Sequence, residues 1–262
     1  MLLPLLFGMI VGTLLGATGA GGAVLAVPLL IWGVGCSLED AAPIALLGVA
    51  AGSTLGTVLS WSVAQVRYRA AALMGFGSLF GAPLALWVAQ WITRTALEAL
   101  FAVVLAIVAA RLLAPAPHPR TSLRLCRLDP ASGRISWNGG TIAYVTTTGA
   151  VAGALAALLG VGGGFVIVPS LRTFSDLPVH AVVATSLMAV AIISTVALFA
   201  GVLGGTRIGS ALAAPFVIGT LTGTLLSRKL MAKAAPKLLQ SVLGVALLLA
   251  AAGMAARAAG VA

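Results

Sequence analysis

The residues of this chain best placed to do chemistry are two dense runs of glycine, each followed by a proline. The two runs and their prolines are Gly19, Gly21, Gly22 and Pro28, and then Gly160, Gly162, Gly163, Gly164 and Pro169. A glycine costs a helix interior about 1 kcal/mol relative to alanine, so runs this dense predict a helix break. Backbone N–H groups at the start of the next helix are unpaired and carry partial positive charge. The glycine runs therefore predict a site for an anion.

Hydroxyl side chains near these runs could add further donors to such a site. The candidates lie beside the first run and in two later apolar segments: Thr18, Thr54, Thr185, Ser186 and Ser194. A serine or threonine within a helix also bonds readily to a carbonyl of its own preceding turn. Both uses stay open for each of these hydroxyls.

Acids, histidines and cysteines are too few and too scattered to predict a catalytic or metal site. The five acids lie in predicted loops or near segment ends: Glu39, Asp40, Glu98, Asp129 and Asp176. None occupies the mid-membrane position that a proton relay needs. Cys36 and Cys126 have neither a CxxC spacing nor a histidine cluster nearby. We expect no catalytic residue, no metal and no cofactor, and an intramembrane enzyme would need a set of side chains that is missing.

The composition predicts an integral membrane protein. Of the 262 residues, 61% are hydrophobic and only 8% are charged, and the mean hydropathy is +1.16. Average soluble chains carry roughly 25% charged residues. The net charge of +10 comes from basic residues spread singly or in small groups between apolar blocks, which is typical of cytoplasmic loops. The expected surroundings are lipid, and no nucleic-acid partner is expected.

Eight apolar segments predict a helical bundle, because the alternation of a β-barrel is absent. They fall at about 2–33, 41–63, 71–92, 96–113, 140–171, 181–203, 210–227 and 238–256. The first and fifth segments are longer than one span needs, and each contains a glycine run. We predict that each of these two is interrupted, and that its returning part is partly extended until the proline restarts the helix.

The two halves of the chain resemble each other. Residues 16–28 match residues 157–169 at an offset of 141 residues, and the match includes the glycines and the closing proline. Arg67 also falls opposite Arg207 after a shift of one residue. This internal duplication predicts a first repeat at 1–113, a cytoplasmic connector at 114–137 and a second repeat at 138–262. The connector forms either a small hairpin or an unstructured linker.

The basic residues predict how the segments cross the membrane. If all eight segments cross, the Lys and Arg residues divide 9 to 6 between the two sides. If the first and fifth turn back as hairpins, the division is 12 to 3. The positive-inside rule favours the second arrangement, with both termini outside. Each repeat then has three full crossings and one re-entrant hairpin, so the two repeats are inverted relative to each other.

An interrupted backbone in hydrocarbon must be covered by protein or water, so both breaks are expected inside the bundle. There they would approach the middle of the bilayer from opposite sides and hold a small anion between them. The alternative is that the glycines only allow close packing of crossing helices.

The paired glycine segments, the eight apolar segments and the run Ala184-Thr185-Ser186-Leu187 resemble the TauE/SafE sulfite exporter family. The resemblance covers essentially the whole chain, although Ala45 and Leu46 stand where the first half would carry hydroxyls. It implies transport of sulfite, organosulfonates or related sulfur oxyanions across a bacterial inner membrane.

We therefore predict an all-α membrane protein of two inverted repeats, a secondary transporter that exports a small oxyanion by alternating access. An anion channel and a carrier of another small carboxylate or oxyanion are the alternatives. The sequence leaves the oligomeric state and the energy source open.

Overall fold

The computed structural model describes residues 2–19, 21–60, 66–113, 137–174, 178–206, 208–231 and 236–258. These ranges contain ten helices and no strand. The first five are α1 Leu2–Thr18, α2 Gly21–Val34, α3 Leu38–Ser60, α4 Tyr68–Ala89 and α5 Arg94–Leu113. The second five are α6 Gly139–Leu159, α7 Gly164–Phe174, α8 Val179–Leu203, α9 Ser210–Met231 and α10 Pro236–Ala258. The predicted all-helical class is confirmed, whereas the predicted connector lies outside the described residues except for Trp137.

Six of these helices are long and apolar enough to cross a bilayer: α3, α4, α5, α6, α8 and the Ser210–Ser227 part of α9. Large apolar side chains also cover the outside of the bundle. Phe80 and Phe199 are each 64% exposed, which suits contact with lipid and not with water. The chain is a multi-pass membrane protein.

The predicted helix breaks are confirmed at both glycine runs. Gly19 follows α1 with a φ of 79°, and Gly160 ends α6 in the left-handed conformation with a φ of 71°. Gly162 and Gly163 also have positive φ, which side chains other than glycine rarely tolerate. All four glycines are buried, as expected for breaks inside a bundle.

The prolines do not restart the helices, and that detail of the prediction is wrong. Helix α2 begins at Gly21 and contains Pro28, while α7 begins at Gly164 and contains Pro169. The chain re-enters helix directly after the glycines, because Gly160, Gly162 and Gly163 complete the turn within four residues. The amide groups at each helix start therefore belong to the glycine run itself.

Each break folds the chain back along the helix before it. A Cβ on Gly22 would lie 2.2 Å from the carbonyl oxygen of Val11, and one on Gly163 would lie 2.6 Å from that of Ala152. These two contacts are repeat-equivalent, since both partners are displaced by the same 141 residues. Only glycine permits this approach of the two arms.

Helices of one half pack on helices of the other through glycines. A Cβ on Gly12 of α1 would lie 2.1 Å from the carbonyl oxygen of Thr220 in α9. A Cβ on Gly77 of α4 would lie 2.1 Å from that of Thr146 in α6. The other large interfaces join α3 to α8 and α5 to α10. The pattern of interfaces is therefore the same when the two halves are exchanged.

Candidate functional site

Helix α8 contacts both glycine breaks, at two serines on the same helix. The hydroxyl of Ser186 donates to the carbonyl oxygen of Gly19 at 3.2 Å. The hydroxyl oxygen of Ser194 lies 2.8 Å from the position of a Cβ on Gly162. Eight residues of helix separate the two serines, which corresponds to about 12 Å along the axis. Gly19 therefore meets α8 about two turns from its start, and Gly162 meets it near its middle.

Several of the polar groups that the structure describes around the first break are paired with one another. The amide of Gly19 donates to the carbonyl of Leu15 at 2.8 Å, and the amide of Gly21 donates to the hydroxyl of Thr18 at 2.7 Å. The Thr18 hydroxyl in turn donates to the carbonyl of Leu14 at 2.8 Å. Thr18 thus caps the start of α2, as a hydroxyl commonly does at a helix N-terminus.

The second break has no such cap. The residue equivalent to Thr18 is Leu159, whose side chain has no donor or acceptor. The amides of Val166 and Ile167 donate to the carbonyl of Gly163 at 3.1 and 3.4 Å. Nothing in the described part of the chain accepts a hydrogen bond from the three amides of residues 161–163. The first turn of α7 also contains no acidic residue, so its positive end is uncompensated there.

Ser194 adds an unpaired hydroxyl to this open break. Its side chain is fully buried, and its oxygen has no hydrogen-bond partner among the described residues. The repeat-equivalent Ser53 is equally buried but donates to the carbonyls of Val49 and Ala50. An unsatisfied buried hydroxyl costs about 1–3 kcal/mol, so its place beside unpaired amides points to a ligand.

Arg67, which the sequence analysis counted only as a loop charge, lies close to the first break. Its amide donates to the hydroxyl of the fully buried Thr185 at 3.1 Å. Its side chain is half-buried, and its Nε atom is buried. The one sequence signal for Arg67 was its alignment with Arg207, which lies outside the described residues.

The remaining predicted site residues have other surroundings. Thr54 is exposed, and its hydroxyl donates to the carbonyl of Ala50 in its own helix at 2.7 Å. Gly22 and Gly163 face the first arm of their own hairpins, while Gly164 is the first residue of α7. The structure therefore brings Gly160, Gly162 and Ser194 to one break, and Gly19, Thr185 and Ser186 to the other.

The described residues contain no group of three or more histidine, cysteine, aspartate or glutamate side chains that could hold a metal. Two apolar cavities of about 510 and 240 Å³ lie elsewhere, beside α1 and α9 and beside α1, α2 and α10. The break glycines Gly19, Gly160, Gly162 and Gly163 are all buried.

Comparison with known proteins identifies the family of this chain. The family model described as sulfite exporter TauE/SafE matches residues 4–254. A "Probable membrane transporter protein" of Xylella fastidiosa strain 9a5c is 31% identical over 190 residues, covering 70% of this chain and 67% of that protein. A protein of the same name from strain Temecula1 is 29% identical over 252 residues, covering 91% and 88%. No solved structure matches significantly. The chain therefore belongs to the sulfite exporter TauE/SafE family of membrane transporters.

Proposed function

We propose that this chain exports a small sulfur-containing oxyanion, sulfite or an organosulfonate, across the bacterial inner membrane. The observation that carries the proposal is the second break, where the unpaired hydroxyl of Ser194 approaches Gly162 and the three amides of residues 161–163 have no described acceptor. Amides can only donate hydrogen bonds, so their partner must be an acceptor. A sulfur oxyanion presents several acceptor oxygens and a negative charge to the N-terminus of α7.

The first break would close over the anion and not bind it through its backbone. The amides of Gly19 and Gly21 and the Thr18 hydroxyl are already paired. Ser186 joins the tip of this break to α8. The anion would then be held by the amides of Gly162 and Gly163 together with Ser194. Thr185 and Ser186 would line the approach to it along α8.

Inverted repeats are the topology that this proposal requires. The division of basic residues, 12 to 3, supports two hairpins that enter from opposite sides, with both termini outside. An ion pair between Arg94 and Glu39, with Nε to Oε1 at 2.9 Å, places the starts of α3 and α5 at the same end of the bundle. That placement agrees with the proposed three crossings in each half, for which the two hairpins would be related by a pseudo-two-fold axis in the membrane plane.

Alternating access would open the buried site first to the cytoplasm and then to the outside. The membrane potential favours export of an anion by roughly 2.3 kcal/mol per charge per 100 mV, so outward movement needs no coupling ion. The absence of an acid at mid-membrane depth in the sequence agrees with this scheme.

Transport of radiolabelled sulfite, taurine-like sulfonates, thiosulfate, sulfate and acetate by purified protein in proteoliposomes tests the proposal. We expect saturable flux and counterflow with the sulfur oxyanions. Equal flux of every anion with single-channel currents would instead establish an anion channel. Counterflow with acetate alone would establish a carboxylate carrier.

A further inference from the structure

Arg67 differs from the other basic residues whose side chains the structure describes. Those others are Arg69, Arg94, Arg111 and Arg172, and all four are exposed. Arg67 is half-buried, with its Nε atom shielded from solvent. A cation withdrawn from water in a membrane protein is costly, and such residues usually line a substrate or ion pathway.

The backbone of Arg67 is fixed beside the first break. Its amide donates to Thr185, and the next residue of α8, Ser186, donates to the carbonyl of Gly19. The start of α4, the second turn of α8 and the tip of the first hairpin therefore meet at one place. On the topology proposed above, this place faces the cytoplasm, where an exported anion would enter.

We propose that Arg67 is the residue that first captures the anion on the cytoplasmic side, before the anion reaches Ser194. The proposal rests on the proposed function and adds a second anion-binding site to it. A guanidinium presents a planar fork of donors that matches two oxygens of a sulfonate or sulfite group. Nine residues of α8 separate Thr185 from Ser194, so the anion would advance about 14 Å along the helix.

Arg69 provides a matched control. It lies two residues further along the same helix start, so both arginines make the same contribution to topology. Arg69 is exposed, however, and a role in loading the anion is not expected for it. A loss of anion affinity that is specific to the Arg67 variants would therefore indicate recognition of the anion by Arg67, and not the effect of basic residues on membrane topology.

The experiment measures KM for a sulfonate and for sulfite in inside-out and right-side-out vesicles made with wild type, Arg67→Gln, Arg67→Lys and Arg69→Gln. Loss of a hydrogen bond to a charged group should raise KM about 10-fold to 100-fold for Arg67→Gln in inside-out vesicles. We expect little change for this variant in right-side-out vesicles. Arg67→Lys should recover part of the affinity, and Arg69→Gln should match wild type.

Uptake by Arg67→Gln in right-side-out vesicles shows that the variant is folded, so a one-sided loss supports recognition by Arg67. Equal KM values for Arg67→Gln and wild type in inside-out vesicles would overturn the inference and leave the proposed function standing. Equal losses in both vesicle types, without rescue by Arg67→Lys, would also overturn it. Absence of oxyanion transport by wild type would instead overturn the proposed function.

Discussion

Ser186 and Gly19 are 167 residues apart in the chain, yet the serine hydroxyl donates to the glycine carbonyl at 3.2 Å. A helix of the second half thus holds the break of the first half. The same helix carries Ser194 to the break of its own half, where no bond forms. The serine hydroxyl at one break is therefore paired and the one at the other break is not, although both breaks arise from the same duplicated sequence.

The unequal breaks predict opposite effects of removing Ser194 on binding and on stability. Ser194→Ala removes a buried hydroxyl without a partner, so the free energy of unfolding should stay the same or rise. If the hydroxyl binds the anion, KM should rise about 10-fold or more, because a hydrogen bond to a charged group is lost. Thermal unfolding and transport kinetics of the purified variant check both expectations.

Ser53→Ala is the control for that variant, since Ser53 is repeat-equivalent and fully buried. Its hydroxyl bonds only to carbonyls of its own helix, so its loss should leave KM unchanged. Equal KM values for the two variants would remove Ser194 from the site.

Thr18 is expected to stabilise the protein without binding the anion. Thr18→Ala leaves the amide of Gly21 without its cap and should lower the free energy of unfolding by about 1 kcal/mol. Thr18→Ser keeps the hydroxyl and should restore most of this stability. Thermal unfolding of both variants tests the assignment, and a rise in KM that tracks the hydroxyl with no change in stability would contradict it.

Gly163 should not tolerate a side chain. Gly163→Ala adds a Cβ at 2.6 Å from a backbone carbonyl oxygen and strains a residue with a φ of 67°. The strain alone costs about 1–2 kcal/mol, and the contact displaces α7 from α6. We expect transport to be lost while insertion, measured as membrane expression, is kept.

Gly205 separates the effect of backbone strain from that of the Cβ contact, because its φ is 90° and nothing lies within 4 Å of its Cβ position. Gly205→Ala therefore carries the backbone strain alone and should transport normally. Normal transport by Gly163→Ala would show that the geometry of this break is not needed.

The sequence predicted the helix breaks, the hairpin arms and the helical class, because these features depend on the density of glycines and on the length of apolar segments. Both are local properties of the chain. It named Ser194 and not Ser53 as a candidate, but without a physical reason for the choice, since both are serines in equivalent segments. The difference depends on Gly162, whose approach to α8 is a tertiary contact. The role of Thr18 as a helix cap was likewise not predicted, because its hydroxyl could equally bind a ligand or a carbonyl of its own helix.

Cys36 reports on both the topology and the charge of the loop between α2 and α3. Burial, and then the negative charge of Asp40, raise the pKa of its thiol above the ordinary value. The thiolate is the reactive form, so labelling by a maleimide should be slow at neutral pH and accelerate as pH rises toward the raised pKa. Asp40→Asn should speed labelling at a fixed pH.

The reagent should be impermeant and the background should lack Cys126, so that only the outside of intact cells is probed. The proposed topology puts Cys36 outside, where it should be labelled. Labelling only after the cells are broken would place this loop in the cytoplasm and reverse the proposed orientation.

The interfaces also predict which helices move together during transport. Helices α1 and α9 meet backbone to backbone at Gly12, and α4 and α6 do so at Gly77, so neither pair can slide freely. The α3 and α8 helices instead meet through a side chain, where a Cβ on Gly56 would lie 3.2 Å from a methyl carbon of Leu187. We propose that each moving body contains helices of both halves. One body would contain α1, α2, α3 and α9, and the other α4, α6, α7 and α8.

Cross-linking tests this division in a background whose two native cysteines are replaced by serine. A pair of cysteines at Gly56 and Leu187 joins the two proposed bodies, so a short thiol cross-linker should stop transport, and reversal of the link should restore it. A pair at Gly16 and Ser227 joins α1 to α9 within one body, where the Cβ of Ser227 lies 3.0 Å from the Cβ position of Gly16. Transport should continue when that pair is linked. If the second link blocks transport and the first does not, α1 and α9 must separate during transport, and the halves of the sequence themselves would be the moving units.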